Sequence, residues 1–277
     1  MSAIMKIRCE LCPRHCMLSE GQYGACLGRS CKDGKIICSN YGKLTAIALD
    51  PVEKKPLRRF LSGRMILSVG SYGCNLHCPF CQNSEISATT SSPVIEVLPE
   101  ELVARAEQLV AQDNIGIAYT YNEPLISYEY VLDCACLAHQ KSLKNVLVTN
   151  GMICEAPLCN LLPYIDAMNV DLKGFTQDFY NMVGGDLEAV KNTIRIAAQS
   201  CHVEVTTLVV PEKNDSEEEI SAIAQWLASI DKNIPYHISR FFPCYKMADV
   251  LPTPVKTVYR LADIAGRYLN YVYTGNC

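Results

Sequence analysis

Cys74-Asn-Leu-His-Cys78-Pro-Phe-Cys81 is the stretch on which the reading of this chain turns. The C-x3-C-x2-C spacing lets one short loop wrap three thiolates around a single cube of iron and sulfide, and a [4Fe-4S] cluster has four irons that each need a ligand. One iron is left without a protein ligand, because the nearest histidines, His77 and His139, do not sit at a customary fourth position. An open position on a redox cluster can bind and reduce a small molecule, whereas a structural cluster or a zinc site closes with a fourth Cys or His. The competing readings are a zinc loop and three ordinary buried thiols, since unpaired Cys behaves as a small core hydrophobe.

The rest of the chain is long and apolar enough to surround such a loop with a core. Its 277 residues are 49% hydrophobic and 19% charged, which predicts a folded α/β protein of one large domain, or a smaller one with an appendage. A net charge of -4 argues against a nucleic-acid partner, because phosphate neutralisation needs clustered Lys and Arg. The one basic cluster, Lys54-Lys55 with Arg58-Arg59, reads as a solvated or substrate-facing edge. The first residues lack a secretory apolar region, and no stretch approaches the roughly 18 apolar residues of a membrane helix, so the expectation is a cytoplasmic protein with no membrane partner. Sixteen Cys in a reducing compartment read as metal ligands where they cluster and as core side chains where they scatter, as at Cys134, Cys154 and Cys201.

Six of those Cys fall within the first 38 residues, in a Gly-punctuated stretch too short to bury its own core. The expected organisation is a small Cys-rich metal-binding module over residues 1–46 and a main domain over 47–277. Cys9, Cys12, Cys16 and Cys26 have the spacing C-x2-C-x3-C-x9-C, which can close a four-thiolate site around an auxiliary zinc or a second iron-sulfur cluster; Cys31 and Cys38 are alternates for the fourth ligand. From residue 65 onward, short β-rich runs alternate with helical patterns. Strands are expected at 65–69, 116–120, 145–149, 167–171, 203–210 and 236–241. Helices are expected at 99–111, 124–140, 155–162, 176–198 (split near Gly184-Gly185), 216–230 and 255–269. Six such units need parallel strands with right-handed crossovers, and they fit a partial (β/α)6 version of the eight-unit TIM barrel. In parallel barrels the chemistry sits beyond the carboxyl ends of the strands. The polar motifs of this chain fall there: the Cys74 loop, Tyr121-Asn122-Glu123-Pro124, Thr149-Asn150-Gly151, Asp171-Leu172-Lys173, and the last strand with His237, Arg240 and Cys244-Tyr-Lys246.

The Cys loop, with aromatic Phe80 before its last Cys, resembles the signature of the radical S-adenosylmethionine (SAM) superfamily. Beyond the loop, the chain is similar to the activating enzymes of glycyl radical enzymes, such as that of pyruvate formate-lyase. It resembles still more closely the branch known as the radical SAM enzyme of the AmmeMemoRadiSam system. The matching segments are Cys9-Glu-Leu-Cys12-Pro-Arg-His-Cys16, Asp50-Pro-Val-Glu-Lys-Lys-Pro-Leu57, Gly73-Cys-Asn-Leu-His-Cys-Pro-Phe-Cys-Gln-Asn83, Thr120-Tyr-Asn-Glu-Pro124, Val170-Asp-Leu-Lys173 and Arg240-Phe-Phe-Pro-Cys-Tyr-Lys246.

The resemblance implies a [4Fe-4S] cluster on Cys74, Cys78 and Cys81, with SAM filling its open iron and yielding a 5'-deoxyadenosyl radical on reduction. Where the activase group has Gly-Gly-Glu-Pro, this chain has Tyr121-Asn122-Glu123-Pro124, which makes Glu123 the acceptor for the methionine ammonium, with Asn122 beside it. Asn150 would hydrogen-bond ligand oxygens. Val148 stands where an Asp often precedes that motif, leaving Asp171 as the main carboxylate of any cation site. Lys173 would meet the SAM carboxylate and His237 would lie near the adenosyl group, unless they are a solvated lysine and a satisfied core histidine; Arg240 is carried along as a further cofactor contact. The implied substrate is a peptide or protein, with a glycyl radical enzyme as one candidate, and the electron donor is of the flavodoxin or ferredoxin type. The alternatives are a radical SAM enzyme acting on a small metabolite, with the N-terminal module shaping its pocket, and a non-catalytic iron-sulfur or zinc protein.

Overall fold

A computed structural model describes residues 6–277, so the first five residues of the expected N-terminal module lie outside the described residues. One eight-stranded sheet organises the fold. Its strands are β1 (Ala46–Pro51), β2 (Met65–Gly70), β3 (Asn114–Tyr119), β4 (Lys144–Thr149), β5 (Ala167–Asp171), β6 (His202–Val209), β7 (Tyr236–Arg240) and β8 (Val272–Gly275), each bonded to its sequence neighbour. β2 through β8 run parallel and β1 is antiparallel to β2. Parallel strands covered on both faces need apolar side chains on both, and β3 is buried at every position. The helices are α1 (Pro99–Gln108), α2 (Tyr128–Gln140), α3 (Glu155–Leu161), α4 (Gln177–Val183), α5 (Leu187–Ala197), α6 (Glu217–Ile230) and α7 (Val255–Ala265).

All six expected strands and all six helical segments are present. The expected helix over 176–198 is two, because Gly184 at φ +69° ends α4 in a left-handed cap and the Asp186 side chain then caps α5. Two strands exceed the expectation. β1, before the first expected strand, is an edge strand of the main sheet, and β8 adds a seventh parallel strand after the sixth unit. The strand order leaves β1 and β8 as free edges, so among the described residues the barrel is an open arc.

The described part of the N-terminal module does not form a core of its own. Cys9, Leu11 and Cys12 belong to the same buried cluster as the barrel helices, Leu11 accepts from the Cys154 N–H at 2.9 Å, and buried Arg29 pairs with Glu129 on α2.

The amino-terminal end of the barrel is sealed by the chain that follows β1. Leu57 packs among Ile66, Ala118, Val146 and Ala167, and the Pro56 carbonyl accepts from Asn169 at 2.8 Å. Glu204 on β6, with no solvent exposure, accepts from the Arg58 and Arg59 N–H groups at 3.0 and 2.7 Å and meets Nε2 of His202 and His237 at 2.9 and 2.5 Å. Burial would raise this carboxyl, but the hydrogen bonds from His202, His237 and the two backbone donors outweigh it and hold it at about 2. A folded-state value below the ordinary 4.5 means this contribution to stability is present above about pH 4.5 and lost as pH falls toward 2. Glu204→Ala leaves four donors without an acceptor; it should cost roughly 3–5 kcal/mol and flatten the acid limb of the stability profile, read from urea midpoints between pH 3 and 7. An unchanged midpoint would refute the role assigned to this floor.

Candidate active site

The Cys74 loop follows β2 and carries almost no repetitive backbone pairing, so its shape is imposed by its neighbours. Gly73 N–H donates to the Ile86 carbonyl at 2.9 Å, His77 N–H to Val183 at 2.8 Å, and the Pro79 carbonyl accepts from Lys246 at 3.0 Å. The Cys244 thiol donates to the Phe80 carbonyl at 3.2 Å. From the N-terminal side, Arg14 donates to the Asn75 carbonyl at 2.7 Å and to the Gly184 carbonyl. Gly73 has φ +87°, and a Cβ on it would stand 2.3 Å from the Cys26 carbonyl oxygen; no other residue fits there. Phe80 is buried against Phe179 with ring centroids 6.1 Å apart.

Held this way, Cys74, Cys78 and Cys81 line one cavity of about 350 Å³ at the carboxyl ends of the strands. Phe80, Asn122, Glu123, Asn150, Asp171 and Lys173 line it too, so nine of the eleven cavity residues expected from the sequence converge. A second cavity of about 150 Å³ behind the loop shares the three cysteines and adds His77 and Lys246. Cys74 Sγ accepts from the Leu76 N–H at 3.3 Å and from Asn150 Nδ2 at 3.6 Å, the contacts a thiolate would use. Burial pushes the Cys74 thiol well up and Cys78 to about 11, so binding a metal here displaces protons.

The acidic wall is built differently from the expectation. Glu123 Oε1 accepts from the Leu125 N–H at 3.0 Å and the Thr149 hydroxyl at 2.6 Å, and Oε2 accepts from the Asn150 N–H at 2.7 Å. A carboxylate has about four acceptor positions, so protein donors fill three and one remains for a ligand. Burial pushes Glu123 up to about 7 against those three donors. Asn122 is fully engaged: Oδ1 accepts from Ser71 N–H at 2.9 Å and Nδ2 donates to the Tyr72 and Gly73 carbonyls at 3.2 and 3.1 Å. Its side chain ties the turn to the Cys loop. Asn150 Nδ2 donates to Asn75 Oδ1 at 2.9 Å and its Oδ1 accepts from Met152 N–H at 2.8 Å. Lys173 Nζ lies 2.7 Å from Asp171 Oδ2; burial lowers its pKa, but Asp171 and the thiols of Cys78 and Cys81 raise it further. Asp171 thus already has a cation beside it.

Two expected residues do not reach this cavity. His237 faces inward two residues below Ser239, bonded to Glu204 and stacked on Tyr273 at 5.4 Å, because the buried carboxylate on the neighbouring strand captures its ring. It is the satisfied core histidine of the two readings. Arg240 points away, donating to the Thr253 carbonyl at 2.7 Å over the Phe242 ring. In their place the cavity is lined by Thr206, Ser239 and Asn276, which were not anticipated, by Tyr121 of the rim motif, and by Lys55, which takes the substrate-facing of the two readings of the basic cluster. Lys55 is 3% exposed, bonded to Asp50 at 2.9 Å and lying over the Tyr121 ring, whose hydroxyl donates to the same Asp50 at 2.7 Å. The basic cluster thus divides, with Lys54 and Lys55 at the cavity and Arg58 and Arg59 serving the floor. Asp50 and Lys55 were legible only as a motif, since a Lys near a Pro gives no sign of which strand end it faces.

The chain belongs to the radical SAM superfamily, whose family model matches residues 68–227. A superfamily member carries a [4Fe-4S] cluster and SAM. An uncharacterised protein of Methanocaldococcus jannaschii is 40% identical over 98% of this chain and 81% of its own length. The indoleacetate decarboxylase activating enzyme of Tractidigestivibacter scatoligenes is 22% identical over 57% of this chain, a match that spans 54% of the enzyme. Among solved structures, Streptococcus suis SuiB bound to its precursor peptide SuiA shares the fold at TM-score 0.57 and 13% identity, covering 82% of this chain and 51% of that one.

The fit of Gly73 against Cys26 is testable by comparison with Gly63, which has φ +85° but open space around it. Gly63→Ala should cost about 1 kcal/mol from backbone strain alone. Gly73→Ala adds a collision with backbone and should cost at least about 3 kcal/mol in urea unfolding; equal losses would mean that the N-terminal segment does not press on the Cys loop.

Proposed function

We propose that this chain is a radical SAM enzyme of the AmmeMemoRadiSam branch that removes a hydrogen atom from a peptide or protein, in the manner of a glycyl-radical activase. Cys74, Cys78 and Cys81 hold the cluster, and among the residues that line the main cavity there is no histidine and no fourth cysteine to close it. When bound, the reduced cluster would supply one electron to SAM, releasing methionine and a 5'-deoxyadenosyl radical that takes the substrate hydrogen and leaves the unpaired electron on the substrate. The chain's own residues orient and shield. The free acceptor position of Glu123 receives the methionine ammonium, Lys173 turns from Asp171 toward the carboxylate, and Leu76 N–H and Asn150 hold Cys74 as a thiolate. A flavodoxin- or ferredoxin-type protein delivers the electron.

The single observation that favours a polypeptide substrate is the reach of the cavity to both free edges of the sheet. Lys54 and Lys55 follow edge strand β1, Asn276 follows edge strand β8, and all three line the cavity. The cavity is therefore bordered by residues next to both strands at which the arc is left open. None of residues 6–46 lines it directly, which supports the polypeptide reading over a metabolite pocket shaped by the N-terminal segment. Among the relatives, the activating enzyme supports the polypeptide reading, while 7-carboxy-7-deazaguanine synthases at similar identity, 22% and 27%, keep the small-metabolite alternative in play. No helix among the described residues is long and apolar enough to cross a membrane.

Anaerobic reconstitution with iron and sulfide, reduction with dithionite and addition of SAM should give 5'-deoxyadenosine, and Cys74→Ala, Cys78→Ala or Cys81→Ala should lower its formation at least about 100-fold. Activity in those variants would remove the proposed ligands. For the substrate class, the enzyme is offered the macromolecular and the small-molecule fractions of a perdeuterated cell extract. Deuterium should enter 5'-deoxyadenosine from the macromolecular fraction; transfer from the small-molecule fraction alone would defeat the polypeptide reading.

A further inference from the structure

Away from that cavity, the N-terminal segment gathers four thiols around one closed chamber. Cys9, Cys12, Cys16 and Cys26 line it together with Arg14 and Arg29. The gathering is built into the local fold: the two-stranded hairpin Ile7–Arg8 with Met17–Leu18 closes through the Cys9 N–H to Cys16 carbonyl bond at 2.9 Å, which sets Cys9, Cys12 and Cys16 on one tip. Gly24 brings the fourth to it, since a Cβ built there lies 3.8 Å from both Cys16 Sγ and Cys26 Sγ. The two alternates do not take part. Cys31 donates toward Glu20 at 3.9 Å and Cys38 to Asn40 at 3.1 Å.

A second observation is independent of the thiols. Arg29 is 7% exposed, and its two terminal nitrogens are engaged by Glu129, yet its Nε is buried with no acceptor. An unmet buried N–H costs about 1–3 kcal/mol, so an unsatisfied donor on a residue that lines the thiol chamber, with the Cys38 thiol also beside its guanidinium, calls for a stronger acceptor than a neutral thiol. Neutral thiols are weak acceptors; metal-bound thiolate sulfur is a better one, and donors of this kind are the usual outer partners of metal sites. Ordinary core packing explains a scattered residue such as Cys134, but not four thiols converging on two guanidinium groups.

We propose that Cys9, Cys12, Cys16 and Cys26 are the thiolate ligands of an auxiliary tetrathiolate metal centre, with Arg14 and Arg29 offsetting its negative charge and Arg29 Nε donating to its sulfur. Both zinc and an iron-sulfur cubane have this chemistry, and in either case four thiolates leave a surplus of negative charge that half-buried Arg14 and the buried Arg29 of the Glu129 pair face. The chamber volume is about 10 Å³, room for one water-sized sphere, while the thiols are not drawn in to the spacing of a single bound ion. The two metals are therefore separated by experiment. The centre abuts the radical loop: Arg14 holds the Asn75 carbonyl, and the Cys26 carbonyl presses on Gly73. It stands independently of the function proposed above, since its ligands are different residues.

The test uses the full chain with Cys74, Cys78 and Cys81 all changed to Ser, which removes the other set of thiols and makes the outcome indifferent to the radical reading. Purified without oxygen and checked for native circular dichroism, this variant should retain either one zinc or four irons with sulfide per chain, and X-ray absorption at the zinc or iron edge should show a coordination shell made of sulfur. Adding Cys12→Ser or Cys26→Ser should lower the retained metal at least fivefold. Arg29→Lys, which keeps a cation opposite Glu129 but lacks Nε, should release the metal to a chelator 10–100-fold more readily. No zinc or iron in the folded triple variant, a shell of nitrogen and oxygen, or retention after loss of Cys12 and Cys26 would overturn the proposal.

Discussion

A loop that must present three sulfurs to one point cannot be a helix or a strand: on a helix residues i, i+4 and i+7 share a face but spread over about 10 Å of axis, and on a strand the third points to the opposite face. Its backbone donors and acceptors must then be met from outside, or the loop would not hold one shape. In this protein the partners come from almost every part of the chain: Arg14 from the N-terminal segment, Asn122 and Asn150 from two strand ends, Val183 from α4, and Cys244 and Lys246 from the segment after β7. The Cys loop is the hub on which the separate crossovers converge, and a disturbance in any of them reaches the sulfurs.

That dependence explains the inward-facing layers of the barrel. The amino-terminal half is closed by Leu57 and by Glu204, which gathers four donors, so the strands are fixed in register below the cavity. Above it, Thr206, Ser239 and Asn150 are small or polar and leave space. The same strands thus alternate between a filled floor and an open rim. Side chains two residues apart on β7, His237 and Ser239, belong to opposite halves of this division.

Much of this could be read from residue order, and the failures have physical causes. Strands buried on both faces announce themselves as short, mostly apolar runs between helical patterns, which is why β2 to β7 and the crossovers between them were legible. β1 and β8 are half-exposed edges that contain Pro51 and Gly275, so they carry neither a continuous run nor a clean alternation. Residues at strand ends could be assigned to the rim by position alone, and nine of them met. What position cannot reveal is which partner a side chain prefers. Glu204 looked like one strand residue among many, yet it captures His237, and the three donors around Glu123 come from Thr149, Asn150 and Leu125, of which only the last is near in sequence.

The turn Tyr121-Asn122 before Glu123 shows how a segment without glycine can hold a tight place at the cavity wall. Glycines let a backbone approach a ligand; here Tyr121 takes the left-handed conformation at φ +72° and its ring is held by Lys55 and its hydroxyl by Asp50. A non-glycine residue in that region carries strain of order 1 kcal/mol, which the Asp50 and Lys55 contacts offset. The consequence is that β1 and its following turn are fastened to the cavity wall through side chains. The extra antiparallel strand is therefore part of the site: it supplies Asp50, orders Lys55 and fixes Tyr121 in the cavity wall.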